Sequence, residues 1–377
     1  MSERKKIKVS KSILDKEEVG AISRVMLEDG YIGMGEEVKK FEEELQSFLK
    51  TDMALTLVNT CTSALHLATL AVTEPGDEVL IQSLTYLASF QAISAAGAVP
   101  VACEVLPETL TIDLKDAEKK ISSKTKAIMP VHYASDPGDL DSIYEFAKKH
   151  GLRVIEDAAH AFGSTYGGKL IGSFGDIVCF SFDPIKNITS IDGGAIVTGD
   201  KEIATCVRQG RVLGIPKDSE ARYGGSRLYE FEVKSQGYRY HMSNVCAAVG
   251  RVQLGKFPIF KDARQKLAKR YLESLRSVSG MSVFEKNYDN VVPHIFPVRI
   301  LDGKRDALKN YLGESGIETV VHYLPNHLLE YYRNDSYKLP VTEAIYSELL
   351  TLPLHPDVSL EDQDYIIDRI SEFMKNA

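Results

Sequence analysis

Apolar positions along the 377-residue chain fall into short, separate runs whose spacing changes from segment to segment. In EEVKKFEEELQSFL (36–49), Val38, Phe41, Leu45 and Phe48 recur at three- and four-residue steps among charged neighbours. That spacing predicts an amphipathic helix with an acidic outer face. From about residue 54 to 200, apolar runs alternate with helix-period segments. EVLI (78–81), VPVACEV (99–105), KAIMPVHY (126–133) and RVIED (153–157) are apolar almost throughout and rich in Val and Ile. They read as strands buried on both faces. LDSIYEFAKKH (140–150) between two of them reads as a helix. Such alternation implies a parallel sheet with right-handed crossovers. GGKLIG (167–172) has the form of a hairpin arm, and DIVCFSF (176–182) and GAIVTGD (194–200) read as two further strands.

Beyond residue 250 the texture changes. A charged helix is expected over 255–276, then a strand in VVPHIFPVRI (291–300), a helix near 303–315, a short strand near 319–323 and a last helix near 360–375. The expected organisation is an α/β domain over 1–250, including the N-terminal segment, and a smaller α+β domain over 251–377.

Composition narrows the function. The hydrophobic share of 44% and charged share of 26% are ordinary for globular chains and exclude a disordered or fibrous one. The net charge of −8 and the lack of a basic block argue against nucleic-acid or anionic-membrane partners. Five cysteines, an odd number with no CxxC pair, argue against a disulfide framework and a zinc site; no metal site is expected. The start, MSERKKIKVSKSILDKEE, has no apolar core, so no leader peptide is expected, and no run is long enough to span a bilayer. The expected location is cytoplasmic.

Candidate chemistry concentrates in three stretches. In VIEDAAHAFGS, Asp157 ends an apolar strand, the edge at which open α/β sheets bind ligands. In FSFDPIKNITSIDGG, Lys186 lies four residues beyond Phe182, and Gly193-Gly194 let the backbone turn tightly. A lysine and a carboxylate on neighbouring strand ends suit pyridoxal phosphate: the amine binds the cofactor, and the carboxylate keeps its ring nitrogen protonated. Taken singly, Asp157 also reads as a strand-end cap and Lys186 as a solvated loop lysine. In VNTCTSALHLATLAV (58–72), the polar turn Asn59–Ser63 runs straight into an apolar helix, whose free N–H groups can hold a phosphate. The same turn also reads as a plain helix cap. His66, inside that helix, reads as packing. In GDEVLIQSLTYLASFQAI (76–93), Tyr86 opens a helix, where its ring can stack on a flat cofactor or pack on the rim.

Seven motifs in order, GYIGMGEEVKKFEEEL, NTCTSALHLA, GDEVLIQSLTYLAS, VIEDAAHAFGSTYGGKLIGSFGD, FSFDPIKNITSIDGGAIVT, GYRYHMSNVCAAVGRVQL and VVHYLPNHLLEYY, resemble the DegT/DnrJ/StrS sugar aminotransferases. The resemblance implies the type I fold of pyridoxal-phosphate enzymes: a large domain with a mostly parallel seven-stranded sheet between helices, and a smaller C-terminal α+β domain. It implies that Lys186 holds the cofactor and shuttles a proton, Asp157 faces the pyridine nitrogen, His160 approaches the ring hydroxyl and Tyr86 stacks on the ring. Cys61 (through its backbone), Thr62, Ser63, Ser181 and Asn187 match cofactor-contacting positions. Arg239 matches a residue reaching the phosphate across a homodimer interface. Asp183, His322 and Tyr323 fall near the substrate entrance.

The resemblance further implies two half-reactions, with pyridoxal phosphate and its pyridoxamine form alternating. L-glutamate gives its nitrogen, and a keto carbon of a nucleotide-linked deoxysugar receives it, the 4-keto position slightly favoured over the 3-keto by KNIT. Deoxyaminosugar supply for a polysaccharide or O-antigen is the biological setting it suggests. Departures from the family pattern are Cys61 in the phosphate turn, Asp183 where His, Tyr or Phe is usual, and Arg239 and His241 where Asn and Arg are usual. Ser135-Asp136-Pro137 replaces Gly-Gln-Pro, and Leu213 stands where the family has His. The rival readings are a non-catalytic regulatory or binding relative, a sugar dehydratase of the same fold, and a Rossmann dehydrogenase. The complete set of Lys186, Asp157, Tyr86 and Ser181 argues against the first. The presence of Lys186 argues against the second, and the lack of GxGxxG against the third.

Overall fold

The computed structural model describes residues 6–334 and 337–376; residues 1–5, the start of the charged N-terminal stretch, lie outside it. In chain order the first elements are α1 (Lys16–Arg24), α2 (Glu36–Leu49), β1 (Ala54–Val58), α3 (Cys61–Leu70), β2 (Glu78–Gln82), α4 (Leu87–Ala95), β3 (Val99–Cys103), α5 (Leu114–Lys119) and β4 (Thr125–Met129). Then come α6 (Leu140–His150), β5 (Arg153–Asp157), the hairpin β6 (Thr165–Tyr166) and β7 (Lys169–Leu170), β8 (Ile177–Ser181) and β9 (Gly194–Thr198). They are followed by α7 (Lys201–Gly210), α8 (Asp218–Tyr223) and the long α9 (Asn244–Leu275). The chain closes with β10 (Met281–Val283), β11 (Phe296–Ile300), α10 (Arg305–Glu314), α11 (Pro340–Glu348), β12 (Leu349–Leu352) and α12 (Leu360–Asn376).

The large sheet has seven strands in the order β1-β9-β8-β5-β4-β2-β3. Five neighbours run parallel, as the apolar runs predict, while β9 is antiparallel to both β1 and β8. That single reversal positions the site. Because β9 returns alongside β8, the loop joining them stays at the C-terminal edge of β8. Asp157, at the end of β5, lies at the same edge, in register with Cys179 of β8. Val58, the end of β1, pairs with Gly194, so the entry to α3 falls beside the start of β9. Three remote pieces of chain therefore meet at one sheet edge.

α2 forms where the spacing predicts: Val38, Phe41 and Leu45 are fully buried, Phe48 is half-buried and Leu49 joins the buried face, while Glu37 and Glu42 depart from the expected acidic outer face and turn inward to Arg251 and Arg211. Burying Phe41 stabilises the fold by about 2–3 kcal/mol. Its ring lies against Gly250 of α9, where a Cβ would stand 2.3 Å from the ring edge; only glycine permits that approach.

α9 begins eleven residues before the expected position 255, capped by the Ser243 side chain on Cys246 N–H. Its first part lies under α2, and its opening run, residues 245–250, is apolar throughout, which hides the helical period from the sequence. Phe257 and Phe260 belong to the core of the large sheet; Leu267, Tyr271 and Leu275 belong to the core of the three-stranded sheet β10-β11-β12. At the start of the described chain, Ile7 joins the core cluster of the small sheet with Leu267 and Ile317, and bridges to Ile317.

Three local expectations need correction. Only Phe296–Ile300 of 291–300 is strand, because Pro293 interrupts the ladder and residues 291–295 run as buried irregular chain. Residues 319–323 make only a single bridge, Val320 to Thr351. The small-sheet edge strand is β12 instead, which follows α11 directly. The strand expected over 126–133 stops at Met129, before Pro130.

Candidate active site

A cavity of about 330 Å³ opens at the C-terminal edge of the large sheet. Its lining brings together Cys61, Thr62, Tyr86, Asp157, His160, Ser181, Asp183, Lys186, His322 and Tyr323. These are ten of the thirteen residues singled out from the sequence. Three are not brought there. The Ser63 hydroxyl turns to Asn59 Oδ1 at 2.8 Å and to Thr60 Oγ1 at 2.9 Å, inside the helix cap. The Asn187 amide donates to the carbonyls of Phe162 and Val292, at 3.1 and 3.0 Å, and ties down the Lys186 loop from behind. Arg239 is exposed, in a bridge to Val212, and does not line the cavity of its own chain.

One end of the cavity is the start of α3. Thr60 caps this helix by accepting from Ser63 N–H at 3.0 Å. The first-turn N–H groups of Cys61 and Thr62, both cavity residues, remain available for an anion. Gly194 closes the cradle: a Cβ there would stand 2.6 Å from the Thr60 carbonyl and 2.7 Å from Cys61 N. Buried Ser181 adds a hydroxyl.

Deeper in, Asp157 is 4% exposed, and both carboxylate oxygens are held. Oδ2 accepts from Ser89 Oγ at 2.7 Å, and Oδ1 from the backbone N–H of Ala159 at 3.1 Å. Ser89 escaped the sequence reading because nothing local marks a helix serine as a carboxylate partner; the contact spans 68 positions. Lys186 stands where the loop after β8 turns, its N–H bonded to the Asp183 carbonyl at 3.1 Å. Burial of the amine pulls its pKa below the usual lysine value, and the nearby Asp183 and Asp157 carboxylates oppose that shift. Burial likewise drives the Cys61 thiol well above its ordinary pKa, so it stays protonated.

The opposite wall comes from remote segments. His160 Nε2 lies 3.1 Å from the Tyr323 hydroxyl, and the Tyr86 and Tyr323 rings stand 5.5 Å apart at the mouth. The His322–Tyr323 peptide is cis. His322 Nδ1 meets Thr351 Oγ1 at 3.0 Å, and its carbonyl accepts from the Tyr133 hydroxyl. Burial and the Lys186 charge push the pKa of His160 well below the usual histidine value and that of His322 to about 4. Both rings are therefore uncharged at neutral pH. Tyr323 is pushed far up by burial and remains a phenol. His294, which the sequence reading took as part of a strand, is a further wall residue, with Nε2 3.4 Å from Lys186 Nζ.

The donor set fits pyridoxal phosphate. An anion cradle, a held carboxylate, an amine and an exposed aromatic ring line one cavity large enough for it. Among the described residues, no group of three or more His, Cys, Asp or Glu side chains is placed to hold a metal ion, and no helix is long and apolar enough to cross a membrane.

Comparison with known proteins agrees with this chemistry. A model of the DegT/DnrJ/EryC1/StrS aminotransferase family matches residues 12–371. The spore coat polysaccharide biosynthesis protein SpsC of Bacillus subtilis is 33% identical over 376 residues, covering 97% of this chain and 96% of its own. The aminotransferase TlmJ of Streptoalloteichus hindustanus superposes with a TM-score of 0.90 at 32% identity, over 98% of this chain and 99% of its own. A putative sugar aminotransferase of Streptococcus pneumoniae, Spr1654, solved in PLP and PMP forms, gives a TM-score of 0.89 for each form at 27% identity. The two forms cover 98% of this chain and 99% and 98% of their own chains. The chain has the type I fold and the cofactor of these enzymes: it belongs to the DegT/DnrJ/EryC1/StrS aminotransferase family, whose members depend on pyridoxal phosphate.

Proposed function

We propose that this sugar aminotransferase takes its amino group from L-glutamate and delivers it to a keto carbon, with the 4-keto position favoured, of a nucleotide-linked deoxysugar. The observation that carries the reading is the shared cavity of Lys186 and Asp157, with its mouth lined by Asp183, His322 and Tyr323. When bound, pyridoxal phosphate supplies an electron sink for the carbon that gains or loses a proton.

The chain's own residues do the rest. Lys186 binds the cofactor and moves the proton; burial keeps its amine closer to the unprotonated state a base needs. Asp157, held by Ser89 and Ala159 N–H, presents a fixed carboxylate to the ring nitrogen and favours its protonation. The first turn of α3 and Ser181 bind the phosphate. Tyr86, at the cavity lining, would stack on the ring. Tyr323 shares a hydrogen bond with Nε2 of His160 and holds that uncharged ring in place, where it would approach the ring hydroxyl of the cofactor. Asp183, exposed at the mouth, accepts hydrogen bonds from sugar hydroxyls.

The same reading takes residues 1–250 as the cofactor-binding domain and 251–377 as the small domain. It places Arg239 on the phosphate of a partner subunit in a homodimer, and exposure of Arg239 in the single chain supports that role. The name of SpsC supports a role in polysaccharide biosynthesis, and a cytoplasmic location belongs to the same proposal.

The test is the visible absorption spectrum of the purified protein before and after L-glutamate. Bleaching of the cofactor band is the expected result. A band that ignores glutamate rejects the donor. Each nucleotide-linked 4-keto and 3-keto sugar, added to the bleached protein, should restore the band only if it is an acceptor.

A further inference from the structure

We propose that His294 is a positioning residue for Lys186: its imidazole accepts a hydrogen bond from the Lys186 amine and fixes where that amine stands in the cavity. The inference rests on the reading of Lys186 as the cofactor lysine. Nε2 lies 3.4 Å from Nζ, and this is the one hydrogen bond Nζ makes among the described residues.

The ring is buried and the backbone that carries it is anchored on both sides of the peptide. It is 4% exposed and lies 4.6 Å from the His160 ring, centroid to centroid. Its backbone N–H donates to Ser135 Oγ at 2.9 Å. Its carbonyl accepts from Arg264 Nη1 at 3.2 Å. Arg264 is itself 2% exposed and bonded to the carbonyls of Pro293, His294 and Leu354, with no carboxylate partner among the described residues. A buried, unneutralised guanidinium behind the ring opposes a second positive charge there.

Burial and the charges of Lys186 and Arg264 keep His294 uncharged at neutral pH. An uncharged imidazole has one lone-pair nitrogen and one N–H. Facing an ammonium, which can only donate, it presents the lone pair. Nε2 is thus the acceptor, and the ring proton sits on Nδ1, which has no other partner among the described residues. The remaining groups that bear on the amine act by charge alone. Asp157 and Asp183 favour the ammonium and Arg264 opposes it, while His160, His322 and the protonated Cys61 thiol face it uncharged. Only His294 gives it direction.

A titration without cofactor tests this. The full-length chain, grown with ¹³C-labelled lysine and freed of cofactor, is followed by NMR through the Lys186 Cε signal, assigned by its loss in Lys186→Arg. In His294→Phe the ammonium loses its acceptor, and the midpoint should fall by about one pH unit, a tenfold change in the ammonium-to-amine ratio. His294→Ala serves in its place should the phenylalanine variant not fold. His294→Gln, whose Oε1 can accept, should stay within a few tenths of a unit of the parent. Equal midpoints in all proteins overturn the proposal. Equal falls with Phe and Gln also overturn it, because loss of packing, not of an acceptor, is then the cause. Failure of the cofactor-lysine reading is seen separately, as intact turnover in Lys186→Ala.

Discussion

The two sides of the cavity are built differently. The floor, with Asp157, Lys186, Ser181 and the α3 turn, comes from strand ends of one sheet and the turns that leave them: register places Asp157 and Ser181, and Lys186 and the α3 turn follow within a few residues of β8 and β1. The wall, with His294, His322 and Tyr323, comes from irregular chain of the C-terminal part, and single side-chain anchors such as Ser135, Tyr133 and Thr351 place it. A ladder of backbone hydrogen bonds fixes a position redundantly, whereas one side-chain contact contributes only about 1 kcal/mol. The floor can therefore hold groups that chemistry needs at fixed spacing, and the wall can vary with substrate at little cost to the fold.

That contrast can be broken most severely at Lys186. Lys186→Ala should lower turnover by about 10⁴-fold or more, measured by conversion of glutamate to 2-oxoglutarate, because the proton-transfer group is gone. Asp157→Ala comes next, with a loss of about 10²–10⁴-fold and a thermal stability close to the parent's. Equal activity in that variant would remove the ring-nitrogen role. Arg239→Ala, outside its own chain's cavity, should weaken cofactor retention about tenfold through loss of one charged hydrogen bond, read by gel filtration and absorbance. Full retention there would reject the contribution from a partner subunit. Tyr323→Phe removes a single wall hydroxyl and should cost about fivefold in kcat with the fold intact.

Acid sharpens the comparison without mutation. His160, His294, His322 and His241 all have pKa values depressed by burial, to about 4 for His322 and His241. Above about pH 6.5 they are neutral in both folded and unfolded chains and affect stability little. Below it the unfolded chain binds protons that the folded one refuses, so stability falls as the pH drops from about 6.5 toward 4. Each group contributes up to about 1.4 kcal/mol per pH unit over that window. Thermal melts between about pH 7 and 5 should show the decline, and His322→Gln should flatten it.

The sequence is most legible where a local rule holds. The 3.6-residue period of 36–49 returned α2 with the same bounds, and apolar runs alternating with a helix-period segment returned β5, β8 and α6. Asp157 and Lys186 could be found because each follows a strand and so sits at the edge where ligands bind. Legibility failed where burial is two-sided or contacts are remote. The opening run of α9, residues 245–250, is apolar throughout, so it shows no stripe. Asn187 sits one residue beyond Lys186 yet turns the other way, to carbonyls 25 and 105 positions distant.

The chain's own order of residues determined the alternating layers, the family motifs and the cofactor chemistry, because periodicity and strand-end placement are properties of short segments. The tertiary structure alone decided which side chains complete the site. Ser89 reaches Asp157, Tyr323 reaches His160 and His294 reaches Lys186 across 68, 163 and 108 positions. No local pattern encodes such pairs. They arise when the antiparallel β9 keeps the lysine loop at the edge shared with β5, and when packing of the small sheet against α9 carries residues 291–295 into the cavity wall.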